Sequence, residues 1–129
     1  MSDSDNDAYR IEVFAESEYL PEQSDAEQKR WAFAYHIRII NRGSQGARLL
    51  TRHWIITDGD QRVQEVHGEG VLGQQPELAP GQEFQYSSGA ILETAVGSMR
   101  GNYQMLSEDG TCFNAPIPAF TLAADRALH

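Results

Sequence analysis

Apolar and polar positions alternate with a period of two along most of this chain. In "YRIEVFAES" the positions Tyr9, Ile11, Val13 and Ala15 alternate with Arg10, Glu12 and Glu16, the pattern of a strand with one buried and one solvated face. "WAFAYHIRII" sets Trp31, Phe33, Tyr35, Ile37 and Ile39 on one face and Ala32, Ala34, His36 and Arg38 on the other. No helical period fits that run, and its aromatic and β-branched residues suit a pleated surface. "ARLLTRHWIIT" is apolar on both faces, Leu49 and Ile55 on one and Leu50, Trp54 and Ile56 on the other, as in a central strand. A hairpin turn through Asp58-Gly59 leads into "RVQEVH". "EFQYSS", "MRGNYQML" and "TCFNA" follow, the last two joined by the turn "SEDG" at 107–110. "PIPAFTL" alternates imperfectly, and its prolines confine it to a sheet edge. "SSGAILETAVG" leaves room for one helical turn between Gly89 and Gly97.

Seven or eight short strands and no confident helix predict an all-β fold, an antiparallel β-sandwich of immunoglobulin or fibronectin type III-like kind. The Cys…Trp…Cys spacing of antibody domains is absent. A chain of 129 residues is expected to form a single domain over residues 9–129, preceded by an acidic, disordered tail over 1–8. Its single cysteine, Cys112, cannot form an internal disulfide and suits a reducing compartment. The opening "MSDSDNDAYR" does not read as a signal peptide, and no run approaches the roughly 20 apolar residues of a membrane span. A cytoplasmic protein with no membrane partner is expected.

Charge narrows the partners. The formal net charge is −9, which argues against a nucleic-acid binder, since that affinity rests on cations neutralising phosphates. The charge is unevenly spread. Residues 1–27 carry nine acids against Arg10 alone, whereas over 28–62 Lys29, Arg30, Arg38, Arg42, Arg48, Arg52 and Arg62 face only Asp58 and Asp60. Cross-strand ion pairing accounts for such a block; the sharper alternative is a small anion site.

That alternative has a focus in "HGEGVLGQQPELAPG", where Gly68, Gly70 and Gly73 have the G-x-G-x-x-G spacing of a dinucleotide-binding turn. The motif works by carrying a pyrophosphate from a buried parallel strand to a helix N-terminus. Here Pro76 and Pro80 bar a helix of useful length, and "RVQEVH" is too polar for a buried parallel strand. The glycines are better explained by a tight loop, with Pro80-Gly81 at the centre of a type II turn. A backbone nest for a small anion remains the alternative, with Gly68, Gly70 and Gly73 offering N–H groups and Arg52, His53 or Arg62 supplying charge.

Other chemistry is sparse. His36, His53, His67 and His129 show no H-x-H or H-E-x-x-H spacing and Cys112 has no C-x-x-C partner, so no metal site is expected and zinc is disfavoured. A weaker reading puts a divalent ion on Asp58, Asp60, Glu65 or Glu69. Ser87, Ser88 and Cys112 show no paired base and orienter, so no catalytic residues and no cofactor are expected. Met99, Tyr103 and Met105 alternate as core residues.

Several blocks together resemble the ApaG family: "WAFAYHIRIINRG", "LLTRHW", "GEGVLGQQP", "PGQEFQYSSG", "GSMRGNYQM" and "IPAF", in order over about residues 9–123. The resemblance implies a fibronectin type III-like sandwich. It also implies kinship with protein-interaction modules in a eukaryotic F-box ubiquitin-ligase subunit and a DNA-polymerase-associated protein. Its bacterial members are associated with cobalt resistance and magnesium efflux, and it brings no catalytic residues to transfer. The expected function is a non-enzymatic interaction module with a protein partner, or alternatively a small-anion (phosphate, pyrophosphate or nucleotide) binder. Exposed edge strands would allow a homodimer.

Overall fold

The computed structural model describes residues 7–124, and within them the alternating runs become eight strands. These are β1 (Ile11–Tyr19), β2 (Trp31–Asn41), β3 (Ala47–Asp58), β4 (Val63–Glu69), β5 (Glu77–Leu78), β6 (Glu83–Leu92), β7 (Val96–Ser107) and β8 (Cys112–Ala123). One sheet has the order β1-β2-β6 and the other β4-β3-β7-β8, with β5 paired to the start of β3. All pairings are antiparallel. The fold is the expected β-sandwich. Among the described residues no helix is long and apolar enough to cross a membrane. Of the acidic leader expected over 1–8, residues 1–6 lie outside the described residues; the carbonyls of Asp7 and Ala8 accept bonds from the N–H groups of Ser44 and Gln45.

Alternation builds the core. Phe33, Tyr35, Ile37 and Ile39 of β2 are buried against Leu49, Trp54, Met99, Tyr103, Met105 and Leu122 of the facing sheet. Tyr35 and Phe120 approach Trp54 edge-on, with ring centroids at 5.2 and 6.0 Å, the arrangement ring quadrupoles favour. The Tyr86 and Tyr103 hydroxyls meet at 2.5 Å, a hydrogen bond from one sheet to the other. Burial pushes both phenols above their ordinary value, so each stays neutral and able to share a proton.

Three local expectations change. A bulge in β3 between Leu49 and Thr51 reverses the alternation, so Leu49 shares the core face with Trp54 rather than the outer face with Ile55. "SSGAILETAVG" holds no helical turn: β6 runs on to Leu92, each residue from Ser87 paired with β2, because Tyr86 and Leu92 are both buried at even spacing. "TCFNA" and "PIPAFTL" fuse into β8, an edge strand as its prolines require, with an irregular register opposite Met99 and Gly101. The type II turn forms as read, Gln82 N–H donating to the Ala79 carbonyl at 2.9 Å with Gly81 at φ 86°.

Candidate functional site

The glycine segment is a detour along one sheet edge. β4 and β5 lie end to end against β3, and residues 70–75 loop out between them. At the tip Val71 and Gln74 exchange backbone hydrogen bonds of 2.8 and 2.9 Å. The central residues are Leu72 at φ 50° and Gly73 at φ 77°, two consecutive left-handed positions, as a type I′ turn demands. Gly70, at φ 63°, donates its N–H to the Leu50 carbonyl at 2.8 Å, and a Cβ there would meet the Gln74 carbonyl oxygen at 2.2 Å. At Gly68 the Arg52 guanidinium lies flat against the backbone, 2.6 Å from where a Cβ would stand. That guanidinium donates to the carbonyls of Glu69 (3.1 Å) and Gly70 (2.9 Å). Each glycine thus answers a steric requirement of the loop. Among the described residues no helix follows Gly73.

The residues proposed for an anion site are brought together only in part. The Arg52 guanidinium lies against Gly68 and donates to the Gly70 carbonyl, and Arg52, His53 and Gly68 border one hollow, but Arg62 is remote. Arg52 and His53 are sequence neighbours on a strand, so they face opposite sides of the sheet. Arg62 precedes β4 at its far end, roughly 20 Å from Gly68 at strand rise, and pairs with Asp58, Asp60 and Glu93. Elsewhere in the basic block, Arg38 pairs with Glu83, Arg42 with Glu12 and Arg48 with Glu77, the cross-strand pairing anticipated above. Arg38 draws the Glu83 carboxyl below its ordinary value. Because Gly70, Val71 and Gln74 already spend their N–H groups, adding pyrophosphate or ATP is expected to leave the amide resonances of residues 67–75 in place. A saturable shift confined to those amides would restore the nest.

The structure presents a different concavity. On one flank of the sandwich β1 lies against β8, with Ser17 Oγ donating to the Thr121 carbonyl at 2.7 Å. On the other flank the edges of β4 and β6 stay apart, and a cleft of about 760 Å³ opens between the sheets. Phe33 and Trp54 line its floor; Val66, Leu72, Tyr86 and Ile91 line its walls. Two features set it apart from ordinary surface. Trp54 is buried, yet among the described residues its Nε1–H has no acceptor, a deficit worth about 1–3 kcal/mol. Leu72 is 60% exposed while holding a backbone conformation that favours glycine or asparagine. Neither was legible in sequence, since both depend on which elements face one another.

Two polar constellations also form on outer faces. Ser87 Oγ lies 2.6 Å from His36 Nδ1, and His36 Nε2 lies 3.1 Å from Glu18 Oε1. This corrects the expectation that Ser87 lacks a base and orienter: the register sets His36 opposite Ser87, with β1 alongside. The His36 and Glu18 side chains are 42% and 62% exposed, so water surrounds them, where acyl transfer needs preorganised donors in a dry site. We read the trio as cross-strand pairing. On the second sheet, His53 stacks on His67 with ring centroids 4.1 Å apart, and its Nε2 lies 2.8 Å from Glu65 Oε1.

Comparison with known proteins places this geometry in context. A family model described as the ApaG domain matches residues 21–107. Protein ApaG of Aromatoleum aromaticum is 58% identical over 126 residues, covering 98% of this chain and 99% of that one. Protein ApaG of Pseudomonas aeruginosa is 56% identical over 129 residues, the full length of both. Among solved structures, the Bordetella pertussis protein designated ApaA superimposes with a TM-score of 0.89 at 52% identity, covering 92% of this chain and 97% of that one.

Proposed function

This chain belongs to the ApaG domain family, and we propose that it acts as a non-catalytic interaction module whose inter-sheet cleft receives an extended segment of a partner protein along β6. The observation that carries this is the cleft itself, where apolar Phe33, Trp54, Val66, Tyr86 and Ile91 stand beside polar Arg52, Gln64 and Glu69, together with the buried Trp54 Nε1–H that has no acceptor among the described residues. The partner's side chains would enter the cleft, apolar ones against Phe33, Val66 and Ile91 and polar ones against Arg52, Gln64 and Glu69. A partner oxygen would reach the shielded Trp54 Nε1–H only as the cleft opens around it.

The edge of β6 suits the added strand. Sheet edges are usually guarded by charges, prolines or bulges. From Gln85 to Leu92 β6 reads "QYSSGAIL", with no charge and no proline, and its register with β2 is unbroken. Such an edge offers main-chain donors and acceptors to an incoming strand, while pockets beside it select alternate side chains. Leu72 supports the same reading: an exposed leucine at positive φ costs stability, and the cleft wall is what it contributes to. On this view a cation phenotype of the kind the resemblance implies is exerted through the partner rather than through a reaction.

A photo-crosslinking residue placed at Ile91, in cells, tests this. A discrete heteromeric adduct is expected at Ile91 and not at Glu16 on β1. Leu72→Asn is expected to abolish the adduct while raising stability by about 1 kcal/mol through relief of the left-handed strain, which separates lost binding from lost folding. Equal adducts at Glu16, no adduct at Ile91, or an adduct of two copies of this chain would overturn the proposal.

A further inference from the structure

We propose that His53, Glu65 and His67 form a binding site for one divalent transition-metal ion of the zinc type, on the outer face of the second sheet and apart from the cleft. The three come together through register. His53 of β3 pairs directly with His67 of β4, and Glu65 lies two residues from His67 on the same face. Each offers one ligand atom, and the three atoms lie within 4.8 Å of one another. Glu65 Oε1 is 2.8 Å from His53 Nε2 and 3.8 Å from His67 Nε2.

Those separations bracket what a metal needs. Bonds of about 2.0–2.1 Å in a tetrahedron set neighbouring ligand atoms roughly 3.3 Å apart. The stacked rings aim their in-plane lone pairs in parallel, so binding requires the exposed His67 ring to turn out of the stack and Glu65 to follow. Both side chains, 71% and 54% exposed, are free to rotate without moving the strands. The backbone under them is held by the β3–β4 and β3–β7 ladders, so the donors sit on rigid elements.

Donor chemistry selects the ion. Two imidazole nitrogens and one carboxylate favour borderline ions over magnesium, which prefers oxygen ligands and retains its water. Three protein donors leave a fourth position open, as in zinc sites that hold an exchangeable ligand. It would face a shallow hollow of about 590 Å³ lined by Thr51, Asn102, Gln104 and Asn114. Gln104 already bonds Asn114 through Nε2, and these amides offer hydrogen bonds to whatever occupies the fourth position. The structure thus assigns the stacked histidines a ligand class that their sequence spacing conceals.

The test is titration of Zn²⁺ into the full chain against a chromophoric competitor, with millimolar Mg²⁺ present throughout. One equivalent is expected to bind, shifting the imidazole resonances of His53 and His67 while those of His36 stay in place. His53→Gln and His67→Gln should each weaken binding at least about tenfold, and His36→Gln should not. Zn²⁺ should raise the melting temperature of the parent and the His36→Gln variant, because a ligand selective for the folded state stabilises it. The doubly substituted His53→Gln/His67→Gln chain should melt as the metal-free parent does and gain nothing from Zn²⁺. Undiminished Zn²⁺ affinity in that double variant, or no saturable binding by the parent below millimolar Zn²⁺, would overturn the assignment.

Discussion

Gly70→Ala is expected to destabilise the protein by about 3 kcal/mol or more, from left-handed backbone strain of roughly 1–2 kcal/mol plus overpacking of similar size. The new methyl would meet the Gln74 carbonyl oxygen at 2.2 Å with φ at +63°. Relieving that contact means opening the Val71–Gln74 turn. Gly73→Ala is the control. Its φ is +77° but nothing lies within 4 Å of the added atom, so strain alone remains, about 1–2 kcal/mol. Urea denaturation reads the difference as a lower midpoint at unchanged slope. Equal losses at the two positions would contradict a loop shaped by local sterics. The ordering matters for function, because a phosphate-binding role would tie the motif to ligand affinity, whereas the geometry ties it to the shape of the cleft wall at Leu72.

Tyr103→Ala is expected to cost about 4 kcal/mol, the usual loss for emptying a large aromatic site in a core. Tyr103 is fully buried and is the largest such side chain among the described residues. Against a total stability of about 5–15 kcal/mol that loss could leave the chain largely unfolded. Tyr103→Phe separates packing from polarity. It keeps the ring but leaves the Tyr86 hydroxyl, 2.5 Å from that of Tyr103, without that bond, a cost of about 1–3 kcal/mol. The double change Tyr86→Phe/Tyr103→Phe should recover part of this, since removing both partners spares the orphaned group. Thermal unfolding of the three variants checks it; a double variant worse than the sum of the singles would contradict the account.

Much of the site region was legible in pieces. The prolines after Gly73 ruled out the dinucleotide fold, and the structure has no helix there. Pro80-Gly81 named its own turn type. His53 and His67 were both visible as residues, yet nothing in their spacing joined them. A two-residue turn centred on Asp58-Gly59 would place His53 opposite Gln64. The actual loop spans residues 59–61, with Gln61 at φ 67° and Asp58 Oδ1 accepting from the N–H groups of Asp60 and Arg62. That three-residue connection slides β4 until His67 faces His53.

The alternation of residue types was enough to decide the class of fold, the identity of most core side chains and the edge position of β8. Each of these follows from a period-two property that every strand carries locally. Partners across strands were decided only in three dimensions. A single extra residue, in the bulge at Leu50 or in the loop after Asp58, turns every later side chain to the other face. The energy that settles such a slip comes from the whole ladder and the opposing sheet. The cleft over Trp54, the Ser87–His36–Glu18 contact and the stacked histidines therefore belong to the tertiary structure.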